Sequence, residues 1–92
     1  MKYFDWDENK NEQLKQTRNV SFEEIILAIS NNQLLDVLIH PNKEKYPNQK
    51  MFVVELFDYA YIVPFVEDKE RYFLKTIYPS REATKKYLKK EK

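Results

Sequence analysis

Several shortages in the composition limit what this chain of 92 residues can do. It contains no Cys, which excludes disulfide scaffolds, thiolate metal sites and cysteine nucleophiles. It contains no Gly, which excludes glycine-rich phosphate loops, so turns that need a positive φ are expected to use Asn or Asp. Its single His has no companion His or Cys, so neither a metal site nor any other cofactor is expected.

Long apolar segments are also missing. No run approaches the roughly 18 apolar residues of a transmembrane helix, and no positively charged leader precedes an apolar stretch. We therefore expect a cytoplasmic protein without a membrane partner. Aromatic residues make up 15% of the chain and the net charge is only +1, which favours a folded protein over a disordered one. The length predicts a single domain, residues 1–92.

Capping signals predict two helices in the first third of the chain. Asp7 can cap a polar helix over residues 8–18. Ser21-Phe22-Glu23-Glu24 is a capping box, and it starts an amphipathic helix that Asn31-Asn32 ends. A third helix is predicted after Ser80, near the C-terminus.

Between the second and third helices the composition is typical of β-strands. Asp58 is the predicted hairpin turn, and Pro64 indicates a sheet edge or a bulge because it lacks an N–H. The predicted strands cover residues 34–40, 51–57, 59–66 and 71–78. Consecutive strands beside separate helices predict an α+β fold with an antiparallel meander of three to four strands, two N-terminal helices and one C-terminal helix. We expect the helices on one face and a partly open second face.

Charge is unevenly distributed along the chain. Residues 69–92 hold 9 Lys/Arg against 3 Asp/Glu, whereas residues 1–68 hold 7 against 12. This asymmetry is typical of a polyanion-binding face. The alternative is a C-terminal helix whose solvated lysines complement its macrodipole. In the last predicted strand, alternation places Arg71, Phe73, Lys75 and Ile77 on one face.

Two blocks at opposite ends of the chain resemble the BrnT family, the toxins of bacterial type II toxin–antitoxin pairs. The matching residues are Phe4, Trp6, Asp7, Lys10, Val20 to Glu24, Ile77, Arg81, Ala83, Lys85 and Lys86. Two departures stand out. Arg18-Asn19 replaces the family's His-Gly, and Tyr78-Pro79-Ser80 replaces its Ser-Ala. Asn19 can end a helix as Gly does, but Arg18 cannot exchange protons near neutral pH.

The resemblance implies a RelE-like fold and a ribonuclease that inhibits translation. It also implies a cognate antitoxin protein that masks the toxin and binds operator DNA, which this chain would meet only through the antitoxin. Two alternatives remain open. One is a non-catalytic RNA- or protein-binding module of the same fold, and the other is an unrelated small α+β protein.

Cleavage of RNA without a metal needs cations that stabilise the charge on the attacked phosphate and a group that moves protons. The candidate catalytic residues are Arg71, Lys75, Arg81 and His40, the last being the only side chain that ordinarily titrates near pH 7. Tyr78 or a Lys is the substitute for His40. The basic residues Lys85, Lys86 and Arg18 are the candidate RNA-binding residues. The alternative for each cation is an ordinary solvated charge.

Overall fold

The computed structural model describes residues 2–39, 41–42, 44–45 and 49–88. Helices and strands alternate in blocks, as the sequence predicts. In chain order they are β1 (Tyr3–Trp6), α1 (Glu8–Thr17), α2 (Phe22–Ser30), β2 (Leu34–Ile39), β3 (Gln49–Leu56), β4 (Tyr59–Glu67), β5 (Arg71–Leu74), β6 (Tyr78–Pro79) and α3 (Arg81–Tyr87). No helix in these described ranges is long and apolar enough to cross a bilayer.

The strands form one mostly antiparallel sheet in the order β1-β5-β4-β3-β2, and β6 pairs with β4 beyond the end of β5. The predicted meander corresponds to β2–β5, so the α+β class is confirmed. The sheet is larger than predicted, because β1 pairs in parallel with β5 at one edge. Short-range signals could not show this pairing, since 68 positions separate Tyr3 from its partner Arg71.

The helices α1 and α2 cover one face of the sheet. Leu14, Phe22 and Ile25 are buried there against Phe52 and Phe65, whose rings stack with centroids 3.9 Å apart. The predicted capping box at the start of α2 is present, since the Ser21 and Glu24 side chains each accept from the other residue's amide. Apolar burial of this kind contributes about 25 cal/mol per Å².

The third helix lies on the opposite face, so the prediction that all helices share one face is wrong. Ala83 of α3 packs with Val53, Ala60 and Ile62. The amide of Ala60 donates to Thr84 Oγ1 at 2.9 Å, and that hydroxyl donates to the carbonyl of Ser80 at 2.7 Å. Because Thr84 is buried, these bonds attach the first turn of α3 directly to β4.

The predicted last strand is interrupted, and Pro64 explains the interruption. The Lys75 amide donates to the Pro64 carbonyl at 2.8 Å, so this side of Pro64 faces the last strand. In a strand the N–H and C=O of one residue point the same way, and Pro64 has no N–H to continue the ladder. Between the pairs Phe65–Leu74 and Ile62–Tyr78, three residues of the last strand face two of β4, so Pro64 lies at a bulge within the sheet and not at an edge. Beyond the break Ile77 is buried with the α1–α2 core, so it does not share a face with Arg71.

The turn between β3 and β4 consists of Phe57 and Asp58, with φ angles of 57° and 61°. Asn19 and Asn32 also have positive φ, as expected in a chain without Gly. Phe57 contradicts that expectation, because it was placed in the preceding strand and a bulky side chain is rare at positive φ.

Each of the two outer strands contains an Asp whose carboxylate accepts a hydrogen bond from the amide of the next residue. In β1, Asp5 Oδ1 accepts from the Trp6 amide at 2.8 Å, and in β2, Asp36 Oδ1 accepts from the Val37 amide at 2.7 Å. The second oxygen of Asp36 accepts from the Tyr87 hydroxyl at 2.5 Å. The last turn of α3 is thereby joined to β2.

Candidate functional site

The exposed face of β5 carries an aromatic ring between two cations. The guanidinium carbon of Arg71 lies 5.2 Å from the Phe73 ring centroid, and Lys75 Nζ lies 5.7 Å from the same centroid. Phe73 itself is half-buried. The alternation of side chains along the strand therefore places Arg71, Phe73 and Lys75 together, as predicted, and we call these three residues the β5 stack.

Arg71 is held in place by two carboxylates. Its Nη1 donates to Asp5 Oδ2 at 2.7 Å, and its Nε lies 3.4 Å from Asp68 Oδ2. These hydrogen bonds, with that to Asp5 the stronger influence, raise the pKa of Arg71. The Glu70 and Arg71 amides lower the pKa of Asp68, which keeps that carboxyl ionised. The charge of Arg71 is therefore largely compensated before any ligand arrives.

Lys75 is the uncompensated cation of the β5 stack. It is exposed, and no carboxylate in the described ranges lies within ion-pairing distance of it. A flexible ammonium beside an accessible ring can contact a phosphate while the ring stacks on a base. Phe73 was missing from the sequence-based site, although its position between two predicted cations was the available signal.

The cations of α3 lie on the same side of the sheet as the β5 stack. Phe73 pairs with Val66 on β4. Val66 lies an even number of positions from Ala60 and Ile62, so it shares their face of the sheet, against which α3 packs. Arg81 is the first residue of α3, Ser80 caps this helix, and the exposed cations on it are Arg81, Lys85 and Lys86. One side of the molecule thus collects five of the predicted site residues.

Two predicted site residues are not part of this arrangement. Arg18 ends α1 on the opposite side of the sheet, where its Nη1 donates to the carbonyl of Ile77 at 2.6 Å. This bond connects the end of α1 to the segment that follows β5, so Arg18 stabilises the fold. His40 lies outside the described residues.

Every pKa shift found in the described part of the chain runs away from neutrality. Hydrogen bonds lower the pKa of four carboxyls and raise that of the Tyr87 hydroxyl, which donates to Asp36. The four carboxyls are those of Glu23, Asp36, Glu67 and Asp68. A general acid or base works best with a pKa near the operating pH, so none of these shifted groups is suited to proton transfer at neutral pH.

A groove of about 400 Å³ borders α3 on the side of the β5 stack. Its lining combines apolar side chains with the charged Glu82 and Lys86, and the apolar ones are Leu38, Met51, Ile62, Ala83 and the rings of Tyr78 and Tyr87. Lys86 Nζ lies 5.3 Å from the centroid of the Tyr87 ring, which fixes a cation at the rim of the groove. No group of three potential metal ligands occurs among the residues described.

Comparison with known proteins gives no match. No family model, no curated protein and no solved structure is similar to this chain. The functional interpretation is accordingly built on the residues of the chain and on the surface that they form.

Proposed function

We propose that this chain is the toxin of a bacterial type II toxin–antitoxin pair, an endoribonuclease of RelE-like fold that acts without a metal. A cognate antitoxin protein neutralises it and carries the operator DNA contacts. The BrnT-like blocks at the two ends of the chain suggest this function. The order of elements, a short strand and two helices before the meander and one helix after it, is compatible with it.

The β5 stack is the observation that supports the proposal most directly. Proteins that recognise single-stranded RNA combine aromatic rings, which stack on bases, with cations that contact the backbone. Phe73 offers the ring and Lys75 the free cation, only two positions apart on one strand face. The exposed Arg81, Lys85 and Lys86 extend positive charge on the same side of the sheet.

The reaction requires no group beyond the RNA and the protein. The 2′-oxygen of a ribose bonds to the adjacent phosphorus while the bond from phosphorus to the 5′-oxygen breaks. A base takes the proton of the 2′-hydroxyl and an acid protonates the departing 5′-oxygen, leaving a 2′,3′-cyclic phosphate and a 5′-hydroxyl. Lys75 and Arg81 are the cations that would stabilise the pentacoordinate phosphate. His40 is the proposed proton carrier.

A second candidate function is RNA binding without cleavage. The replacement of a family His by Arg18 favours it, because the Arg18 guanidinium donates to the carbonyl of Ile77 and cannot exchange protons near neutral pH. In this case the same surface binds RNA and no proton is transferred.

Induction of the chain alone in a bacterial host, with growth and bulk RNA followed over time, tests the toxin proposal. Growth arrest with RNA fragmentation is expected. The purified protein should also cleave a fluorescent single-stranded RNA in the presence of EDTA. RNA bound but left intact by folded protein selects the second candidate. Normal growth together with no RNA binding contradicts both.

A matched pair of lysine variants shows whether the β5 stack carries the RNA contact. Lys75→Ala should weaken RNA binding and lower the slope of log affinity against log salt by about 0.7 for one lost phosphate contact. Lys15→Ala removes the same charge from the outer surface of α1, where Lys15 pairs with Glu12, and should leave the slope unchanged. Equal effects of the two variants would contradict the assignment.

A further inference from the structure

The hairpin turn at Phe57 and Asp58 is strained, because Phe57 occupies a position that other residue types adopt more readily. Two-residue hairpin turns with positive φ at both positions strongly favour Asn, Asp or Gly. Asp58 satisfies this preference, whereas Phe57 holds a bulky side chain at a φ of 57°. Strain of this kind persists where the surrounding structure enforces it, and it is frequent at binding sites.

Internal packing does not explain the phenylalanine. Phe57 is 64% exposed, and Leu27 of α2 is 62% exposed. They are the two most exposed large apolar side chains in the described part of the chain, and both line one shallow hollow of about 190 Å³. Ala28 and Leu56 also line it. The strained turn thus presents an aromatic ring beside an exposed leucine, on a surface that none of the described residues covers.

The surroundings of this hollow are acidic. Its acidic neighbours are Glu23, Glu24 and Asp58, and Lys15 lies beside Glu24 in an adjacent hollow. Glu24 lines the hollow, Asp58 adjoins Phe57, and none of the residues that line it is a cation. Hydrogen bonding from Asn11 lowers the pKa of the nearby Glu23, so that this carboxyl stays ionised at neutral pH. An apolar centre with an acidic rim is complementary to an apolar side chain flanked by Lys or Arg.

We propose that the hollow between Leu27 and Phe57 is a docking site for a partner protein, which inserts an apolar side chain flanked by basic residues. A second copy of this chain fits poorly. The same patch on another copy has the same acidic rim, and the basic helix α3 exposes no large apolar side chain over residues 81–87. The acidic rim would likewise repel RNA. This inference does not depend on the proposed ribonuclease function.

A pair of model peptides tests the complementarity. The probe is a helical peptide composed of Leu and Lys residues. Its control is the same peptide with Glu in place of every Lys. In a two-dimensional NMR titration of the full chain, the Lys peptide should shift the amide signals around Leu27 and Phe57, and the Glu peptide should not. Shifts centred elsewhere, or equal binding of both peptides, would overturn the proposal.

The variant Phe57→Asn distinguishes the contribution of the aromatic ring to binding from the strain of the turn. Asn tolerates positive φ, so this variant should unfold at a higher temperature than the wild type and still bind the Lys peptide at least about tenfold more weakly. Leu27→Gln, on the exposed face of α2, should weaken the peptide in the same way without touching the turn. Ile39→Thr removes a comparably exposed side chain from β2 and should leave the affinity unchanged.

Three results would contradict the assignment. One is Phe57→Asn and Leu27→Gln variants that bind the Lys peptide as tightly as the wild type. Another is an Ile39→Thr variant that loses as much affinity as they do. The third is concentration-dependent sedimentation that Phe57→Asn abolishes, which would make a second copy the occupant. RNA binding by Phe57→Asn should equal that of the wild type, so failure at this site is distinguishable from failure of the β5 stack.

Discussion

The side chain of Asn11 closes the first turn of the following helix by accepting from the amide of Phe22 at 2.8 Å. Its own amide group donates to Glu23 Oε1 at 2.8 Å, and its side chain is fully buried. The first amides of a helix lack intrahelical partners. Asn11 therefore fixes the angle between α1 and α2 by supplying a partner that the sequence of α2 does not contain.

Replacement of Asn11 by Ala should be among the most damaging single changes in α1. The change leaves the buried Phe22 amide without a partner and opens a small cavity, which together cost about 2–3 kcal/mol of unfolding free energy. Urea unfolding followed by circular dichroism measures the loss. Gln13→Ala, at an exposed position of the same helix, should change stability by less than about 0.5 kcal/mol. A mild Asn11→Ala variant would show that α1 is attached chiefly through Leu14.

Thr84 makes the corresponding attachment for α3. Thr84→Val keeps the shape of the side chain but removes the oxygen that accepts from the Ala60 amide, so we expect a loss of about 1–3 kcal/mol. Hydrogen exchange of the Ala60 amide should accelerate in this variant. Thr84→Ser retains the hydroxyl and should preserve the slow exchange of that amide. Unchanged exchange in Thr84→Val would mean that the hydroxyl contributes little to docking of the helix.

The ion pairs of Glu67 predict a loss of stability in acid. Lys2 and Lys50 both bind this carboxyl, Lys50 at 3.2 Å, and the hydrogen bond from Lys2 is the largest cause of its lowered pKa. A folded-state pKa below the ordinary value means that the ionised form stabilises the fold. This contribution is complete above the ordinary carboxyl pKa of 4.5 and disappears as the pH falls through the lower value in the folded protein.

Unfolding of Glu67→Gln as a function of pH measures this contribution. The wild type should be more stable than the variant at neutral pH, and the difference should shrink below about pH 5. Glu70→Gln removes a carboxylate that pairs with no cation in the described ranges, so its difference from the wild type should be small. A pH-independent difference for Glu67→Gln would contradict the assignment to its charge.

Asp5 limits the charge that Arg71 can offer to a polyanion. In Asp5→Asn the side-chain oxygen can still accept from the Trp6 amide, but the ion pair with Arg71 is lost. We expect RNA to bind more tightly to this variant and with a steeper salt dependence, because Arg71 then keeps only its longer contact with Asp68 and more of its charge is available. Asp58→Asn is the control, since it removes one negative charge from the hairpin turn, at a position where Asn is tolerated. Equal gains in both variants would indicate a general charge effect.

Local signals account for the elements that the sequence predicted correctly. The start of α2 depends on Ser21 and Glu24, which lie three positions apart, so their reciprocal hydrogen bonds could be read directly. The ends of α1 and α2 are followed by Asn19 and Asn32 at positive φ, the choice that a chain without Gly leaves open. The prediction that Arg71 and Lys75 share one face of the sheet also followed from the alternation of side chains within one strand.

Apart from Phe57 at the hairpin turn, the errors concern relationships between distant residues. Pro64 breaks the last strand because of a register that only the assembled sheet defines. The attachment of α3 to the second face had a signal that was not used, since Val53-Val54 and Ile62-Val63 place apolar side chains on both faces. Sheets covered on both sides typically contain such uninterrupted apolar runs. The ion pair between Asp5 and Arg71 had no local sequence signal, because it depends on the parallel pairing of β1 with β5.

The aspartates of the outer strands bear on how this protein behaves when it is crowded. An exposed strand edge is a template on which further molecules can assemble into fibrils, and free amides are what such growth requires. Asp5 and Asp36 each engage one amide on an outer strand and add a negative charge there. Since the Tyr87 hydroxyl and the Val37 amide lower the pKa of Asp36, that obstacle to polymerisation persists into mildly acidic solution.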